Sequence, residues 1–120
     1  MPTEKAPKVK DKFTPIRKGL LELVVLKIIG AHKVYAADIL QLLADSEFET
    51  QEGTLYPLLS ELRREGSVDY EWVESAAGPP RKYYRLTDGG KEQLEELEAY
   101  WEILDKFIKK VGAKQIKTKK

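Results

Sequence analysis

Nucleophilic and metal chemistry need cysteines, histidines or grouped carboxylates, and this 120-residue chain has no cysteine and a single histidine, His32. Disulfides, thiolate catalysis and Cys- or His-built zinc sites are excluded by that count. His32 stands near an expected helix end and reads as a surface or capping residue. With no Gly-rich phosphate loop and only scattered carboxylates besides, an enzyme is the least favoured class, and no cofactor or metal is expected. What remains is the chemistry of anions and of base edges. Arg81, Lys82 and Arg85 bracket the pair Tyr83-Tyr84; Thr54 and Tyr56 carry hydroxyls, Gln51 an amide, and Arg63 and Arg64 two further guanidinium groups. Cations neutralise phosphates, hydroxyls and free helix N–H groups donate to phosphate oxygens, and an amide can read a base edge. Against this, Thr54 also reads as a helix-start residue, Tyr56 as a packing residue and the basic strand as a solvated, charge-protected edge.

Those residues have to be positioned. From Leu20 the chain is so densely apolar (Leu20, Leu21, Leu23, Val24, Val25, Leu26, Ile28, Ile29) that a helix there, ending near Gly30, lies in the core or under a subunit interface. Tyr35, Ile39, Leu42 and Leu43 repeat at three and four residues, predicting one face of a second helix between His32 and Asp45. Thr50 suits the N-cap of a third helix with the buried stripe Leu55, Leu58, Leu59, Leu62 and Gly66 as its stop. Pro57 lacks an N–H and pushes on the Gly53 carbonyl, so its first turn should be kinked or loosely wound. Gly53 reads equally as relief of that clash and as room for a phosphate to approach the backbone.

Beyond Gly66 the period drops to two. Val68, Tyr70 and Trp72 share one face of a strand, with Trp72 expected in the core; 75–80 reads as a loop longer than a tight turn; Arg81 to Leu86 is a second strand with Tyr84 and Leu86 facing inward. Thr87 or Asp88 can cap a last helix reaching about Gly112. Helix, helix, helix, strand, strand, helix is the order of a winged helix-turn-helix followed by one more helix, an α+β, mainly α class. The expected organisation is a flexible basic arm (1–14, with Lys5, Lys8, Lys10 and Lys12), a winged helix-turn-helix (15–87), a final helix (88–112) and a basic tail (113–120).

Two strings sharpen this. Gly53-Thr54-Leu55-Tyr56-Pro57-Leu58-Leu59 with Leu62 and Glu65-Gly66, then Arg81-Lys82-Tyr83-Tyr84-Arg85-Leu86-Thr87 with Gly90, together resemble the signature of PadR-like winged-helix transcriptional regulators. The resemblance runs from about Leu20 to Lys110 and fits the shorter subgroup with a single helix after the wing. It implies a repressor that binds double-stranded DNA, dimerises through that helix and often releases DNA when a small molecule binds. It strengthens the DNA-contact reading of Tyr56. Glu61 departs from it, standing where such sequences often place a basic residue, and Glu47, Glu49 and Glu52 crowd the start of the third helix. Each carboxylate there subtracts from phosphate attraction.

The last helix carries Leu94, Leu97, Tyr100, Trp101, Leu104, Phe107, Ile108 and Val111 at helical spacing, an apolar stripe with too little of its own domain left to cover it. A homodimer is expected, with Leu94, Leu97, Trp101, Leu104 and Ile108 as its contacts. Trp101 and Tyr100 read either as interface packing or, by the resemblance, as the lining of a pocket for a planar aromatic effector near the first helix. With 34% charged residues but a net charge of only +1, binding depends on where the cations sit. No apolar run suits a membrane span or secretory signal, so a cytoplasmic location is expected. The competing reading is a winged-helix protein assembly module without DNA binding.

Overall fold

A computed structural model describes residues 11–113 and residue 116. A single 3-10 turn (Asp11–Phe13) leads into α1 (Thr14–Ala31), followed by β1 (Val34–Tyr35), α2 (Ala36–Leu43), α3 (Glu52–Arg64), β2 (Val68–Ser75), β3 (Gly78–Leu86) and α4 (Asp88–Ala113). The three strands form an antiparallel sheet in the order β1-β3-β2. This is the winged helix-turn-helix with an added C-terminal helix.

α1 begins six residues before Leu20, because Pro15 in its first turn has the fixed φ a helix start needs and lacks only an N–H that would have had no partner. Residues 11–14 of the expected arm therefore belong to the 3-10 turn and α1; its lysines 5, 8 and 10 lie outside the described residues, as does most of the expected tail. Leu21, Val25, Leu26 and Ile29 of α1 are buried against Ile39 and Leu43 of α2, Leu55, Leu59 and Leu62 of α3, and Val68, Tyr84 and Leu86 of the sheet. This is a single core with its apolar stripes at helical and strand periods.

Two expectations about α2 fail. Val34 and Tyr35 pair with Tyr84 and Tyr83 of β3 rather than joining the helix, and Tyr35 becomes the N-cap residue, its N–H donating to the Asp38 carboxylate at 3.0 Å. Leu42 faces solvent, off the side of α2 that buries Ile39 and Leu43. Thr50 is not a cap either: its hydroxyl donates to the Phe48 carbonyl at 2.6 Å, Gln51 occupies the cap position, and no side chain bonds there. Asp45 takes a left-handed φ of 62° just after α2, and the following turn is tied by the Ser46 hydroxyl to the Leu43 carbonyl, so the α2–α3 connection carries its own bonds.

α3 runs through Pro57 unbroken and ends in a left-handed Gly66 (φ 82°), where the N–H of Gly66 donates to the Arg63 carbonyl and that of Ser67 to Leu62. The hairpin is tighter than expected. Ser75 pairs with Gly78, so Ala76-Ala77 alone make the turn, and a register irregularity between Val73 and Ser75 absorbs the twist that a turn without left-handed residues does not supply. Thr87 caps α4 as expected, accepting from the Gly90 N–H at 2.9 Å. A Cβ on Gly90 would stand 1.9 Å from the Ser67 carbonyl oxygen, so only glycine lets α4 start this close to the α3–β2 corner.

Candidate nucleic-acid interface

The exposed side of α3 and the hairpin form one continuous surface. Gln51, Glu52, Gly53, Thr54 and Tyr56 are exposed on the first turns of α3, and Ser60, Glu61, Arg63 and Arg64 further along it. The N–H groups of Thr54 and Leu55 both donate to the Gln51 carbonyl at 3.0 Å, while those of Glu52 and Gly53 have no partner within the helix. The positive end of the helix dipole is thus open where a phosphate would approach. A Cβ at Gly53 would meet nothing within 4 Å, so the protein's own packing does not demand a glycine there.

A groove of about 340 Å³ lies between α3 and the hairpin, lined by Tyr56, by Ala36 and Ala37 at the start of α2, and by Trp72, Arg81 and Lys82. The antiparallel register sets Lys82 opposite Trp72. The Lys82 ammonium stands 4.6 Å from the Tyr70 ring centre and 5.5 Å from that of Trp72; the Arg81 guanidinium stands 5.2 Å from the ring of Tyr35. Aromatic faces hold both cations in place without neutralising them. Lys82 also borders a second cleft with Ser60, Arg63 and Arg64, so it sits at the junction of helix and hairpin.

The other cations differ. Arg63 is paired with Asp69 at 3.3 Å and stacked on Tyr70 at 4.5 Å, and Arg85 reaches the same carboxylate at 3.6 Å. The Tyr70 backbone N–H and these two guanidinium groups hold the Asp69 carboxyl below its usual range. Arg63 is therefore a strut between α3 and β2 more than a free cation, whereas Arg64 is exposed. Burial, with Tyr70 and Tyr56 nearby, raises the Tyr84 hydroxyl above its ordinary value.

Sequence reasoning placed Gln51, Thr54, Tyr56, Arg81 and Lys82 on this surface. It misplaced Trp72, which is 61% exposed instead of buried, because the sheet's cover ends at Tyr70 and strand alternation reports only which face a residue shares. It also missed Tyr35, whose ring lies 4.8 Å from that of Tyr83 and under Arg81. No periodic signal marks a two-residue strand. Among the described residues no group of three or more His, Asp or Glu side chains is arranged to hold a metal, and no helix is long and apolar enough to cross a membrane.

On α4, Leu94 and Leu97 pack half-buried against the chain's own core. Past them, Tyr100, Trp101, Ile103, Leu104, Phe107, Ile108 and Val111 are exposed. The start of α4 is bound more firmly. Gln93 donates to the Glu22 carboxylate of α1 at 2.6 Å and accepts from the buried Ser67 hydroxyl, and Lys27 pairs with Glu98. Burial and the nearby Glu65 raise the Glu22 carboxyl above its usual value, and the Gln93 bond only partly offsets them.

Comparison with known proteins agrees with this geometry. Residues 25–96 match the transcriptional regulator PadR-like family. A PadR-like transcription factor of Bacteroides fragilis is 42% identical and superposes with a TM-score of 0.73 over 85% of this chain and 99% of its own. A PadR family regulator of Eggerthella lenta is 33% identical, TM-score 0.77, over 87% and 91%. A PadR-like regulator of Bacillus cereus is 32% identical, TM-score 0.72, over 84% and 99%. A protein of Lysinibacillus sphaericus is 31% identical over 100 residues, 78% of this chain and 92% of the relative. With the family match spanning more than half its length and a winged helix to carry it, the chain belongs to the PadR-like family of transcriptional regulators.

Proposed function

We propose that this DNA-binding transcription regulator acts as a homodimeric repressor, working in the cytoplasm on an inverted-repeat operator. The observation that carries the reading is the groove lined by Tyr56 of α3 and by Arg81 and Lys82 of the hairpin, whose cations rest on aromatic rings. α3 enters the major groove, with Gln51 at a base edge and Thr54, Tyr56 and the open N–H of Gly53 on phosphate oxygens. Arg81 and Lys82 neutralise backbone phosphates beside it, and Arg64 meets the next phosphate along. Arg63 shares this role only by leaving Asp69.

The exposed stripe of α4 supports the dimer: Trp101, Leu104 and Ile108, flanked by Phe107, meet the same stripe of a second copy, while Leu94 and Leu97 anchor the helix to its own domain. Two copies place their α3 helices one duplex turn, about 34 Å, apart. Tyr100 and Trp101, near the middle of that stripe, are where a planar aromatic effector would stack and shift the spacing.

Binding to duplex DNA from the chain's own upstream region, titrated with salt, tests the reading. We expect affinity that falls steeply with salt and is lost in a Lys82→Ala, Tyr56→Ala double variant. The acidic residues Glu47, Glu49, Glu52 and Glu61, all exposed near α3, favour an assembly module instead. Failure to bind any member of a random duplex pool at low salt would overturn the repressor reading in favour of that second one.

A further inference from the structure

Trp72 lies on the same strand face as buried Val68 and half-buried Tyr70, yet it is 61% exposed. Its indole is nevertheless held: it meets the Tyr70 ring edge-on (centres 5.7 Å apart, 86° between planes), and Lys82 lies across the hairpin from it with its ammonium 5.5 Å from the ring. It lines the same groove as Tyr56 and Arg81. Its neighbour Glu71 faces the other side of the sheet, where Lys33 engages it at 3.2 Å. An indole so exposed leaves roughly 100 Å² of apolar surface in water beside the Lys82 cation.

We propose that Trp72 is a DNA-contact residue whose indole packs on a deoxyribose next to the phosphate that Lys82 neutralises. The inference rests on the reading under Proposed function and assigns that surface a residue of a different chemistry. Sugar C–H groups flank every phosphate, so an apolar ring fixed beside a phosphate-binding cation meets them whatever the base sequence. A second copy of the chain is the poorer occupant, because apposing this patch with itself would set Lys82 against its own copy. The contact adds affinity by removing apolar area from water, which does not release counterions. Its contribution is therefore insensitive to salt, unlike that of Lys82.

That difference gives the test. Affinity of the full chain for its selected duplex is measured across salt concentrations for the wild type, Trp72→Ala, Trp72→Phe and Lys82→Ala, each checked for native thermal unfolding. Trp72→Ala is expected to weaken binding about tenfold at every salt concentration with the slope of log K against log salt unchanged, and Trp72→Phe to recover most of the loss. Lys82→Ala should lower that slope by about 1. Tryptophan emission should change on duplex binding in the wild type and not in Trp72→Phe, which retains Trp101. Wild-type affinity in Trp72→Ala, or a slope change equal to that of Lys82→Ala, would overturn the proposal. Absence of binding by the wild type would instead overturn the functional reading beneath it.

Discussion

The chemistry of the reading surface comes down to a few polar atoms on a rigid backing. The Tyr56 hydroxyl is the clearest case, since its ring is half exposed at the groove and nothing in the core requires it. Tyr56→Phe keeps the ring and removes one charge-assisted bond, so affinity should fall roughly five- to tenfold, about 1–1.5 kcal/mol, in a binding titration at fixed salt. A residue that only packs would leave affinity unchanged. At this scale the sequence was informative about Thr87, which caps α4 as expected, and about the placement of Tyr56 and Lys82 at one groove. It was misleading where partners decide. Thr50 has the hydroxyl of a cap but spends it on the Phe48 carbonyl, and Arg63 has the charge of a phosphate contact but is held by Asp69.

Between elements, the junction of α4 with the α3–β2 corner is the tightest point. Thr87 donates through its hydroxyl to the Gly66 and Ser67 carbonyls, and Gly90 admits no side chain. Gly90→Ala should destabilise the fold by on the order of 2–3 kcal/mol in urea unfolding, because the backbone oxygen of Ser67 cannot yield as a flexible side chain would. Glu22 gives a second prediction here. Its folded-state pKa is raised from 4.5, so the native state favours the protonated carboxyl; that favourable contribution is complete below about 4.5 and is lost as pH rises through the raised value. Glu22→Gln, which can still accept from Gln93, should therefore raise the unfolding midpoint at pH 7 and have little effect at pH 4. The helical stripes of α1, α3 and α4 were legible because many residues share one period. β1 was not, since a strand of two residues has no period to detect, and the Ala76-Ala77 turn hid among residues that also suit a longer loop.

For the whole molecule, the exposed stripe from Tyr100 to Val111 is more apolar surface than a helix of a lone small domain should leave in water. Phe107 and Ile108 are both about 60% exposed, so charging them costs the isolated chain little. Phe107→Glu with Ile108→Glu should yield a folded monomer in analytical ultracentrifugation, with operator affinity reduced at least a hundredfold because each half-site then binds alone. The apolar stripe of α4 was legible in the sequence, whereas its division was not: Leu94 and Leu97 carry the same pattern but are covered by their own core. The central claim, that paired α3 helices and their wings read a duplex sequence, is tested most directly by selecting operators from a random duplex pool at low salt and sizing the complex. Enrichment of an inverted repeat with half-sites one helical turn apart, bound by two chains, is the predicted result. A pool that yields no enriched sequence, or one bound by a single chain at a solitary site, would contradict it.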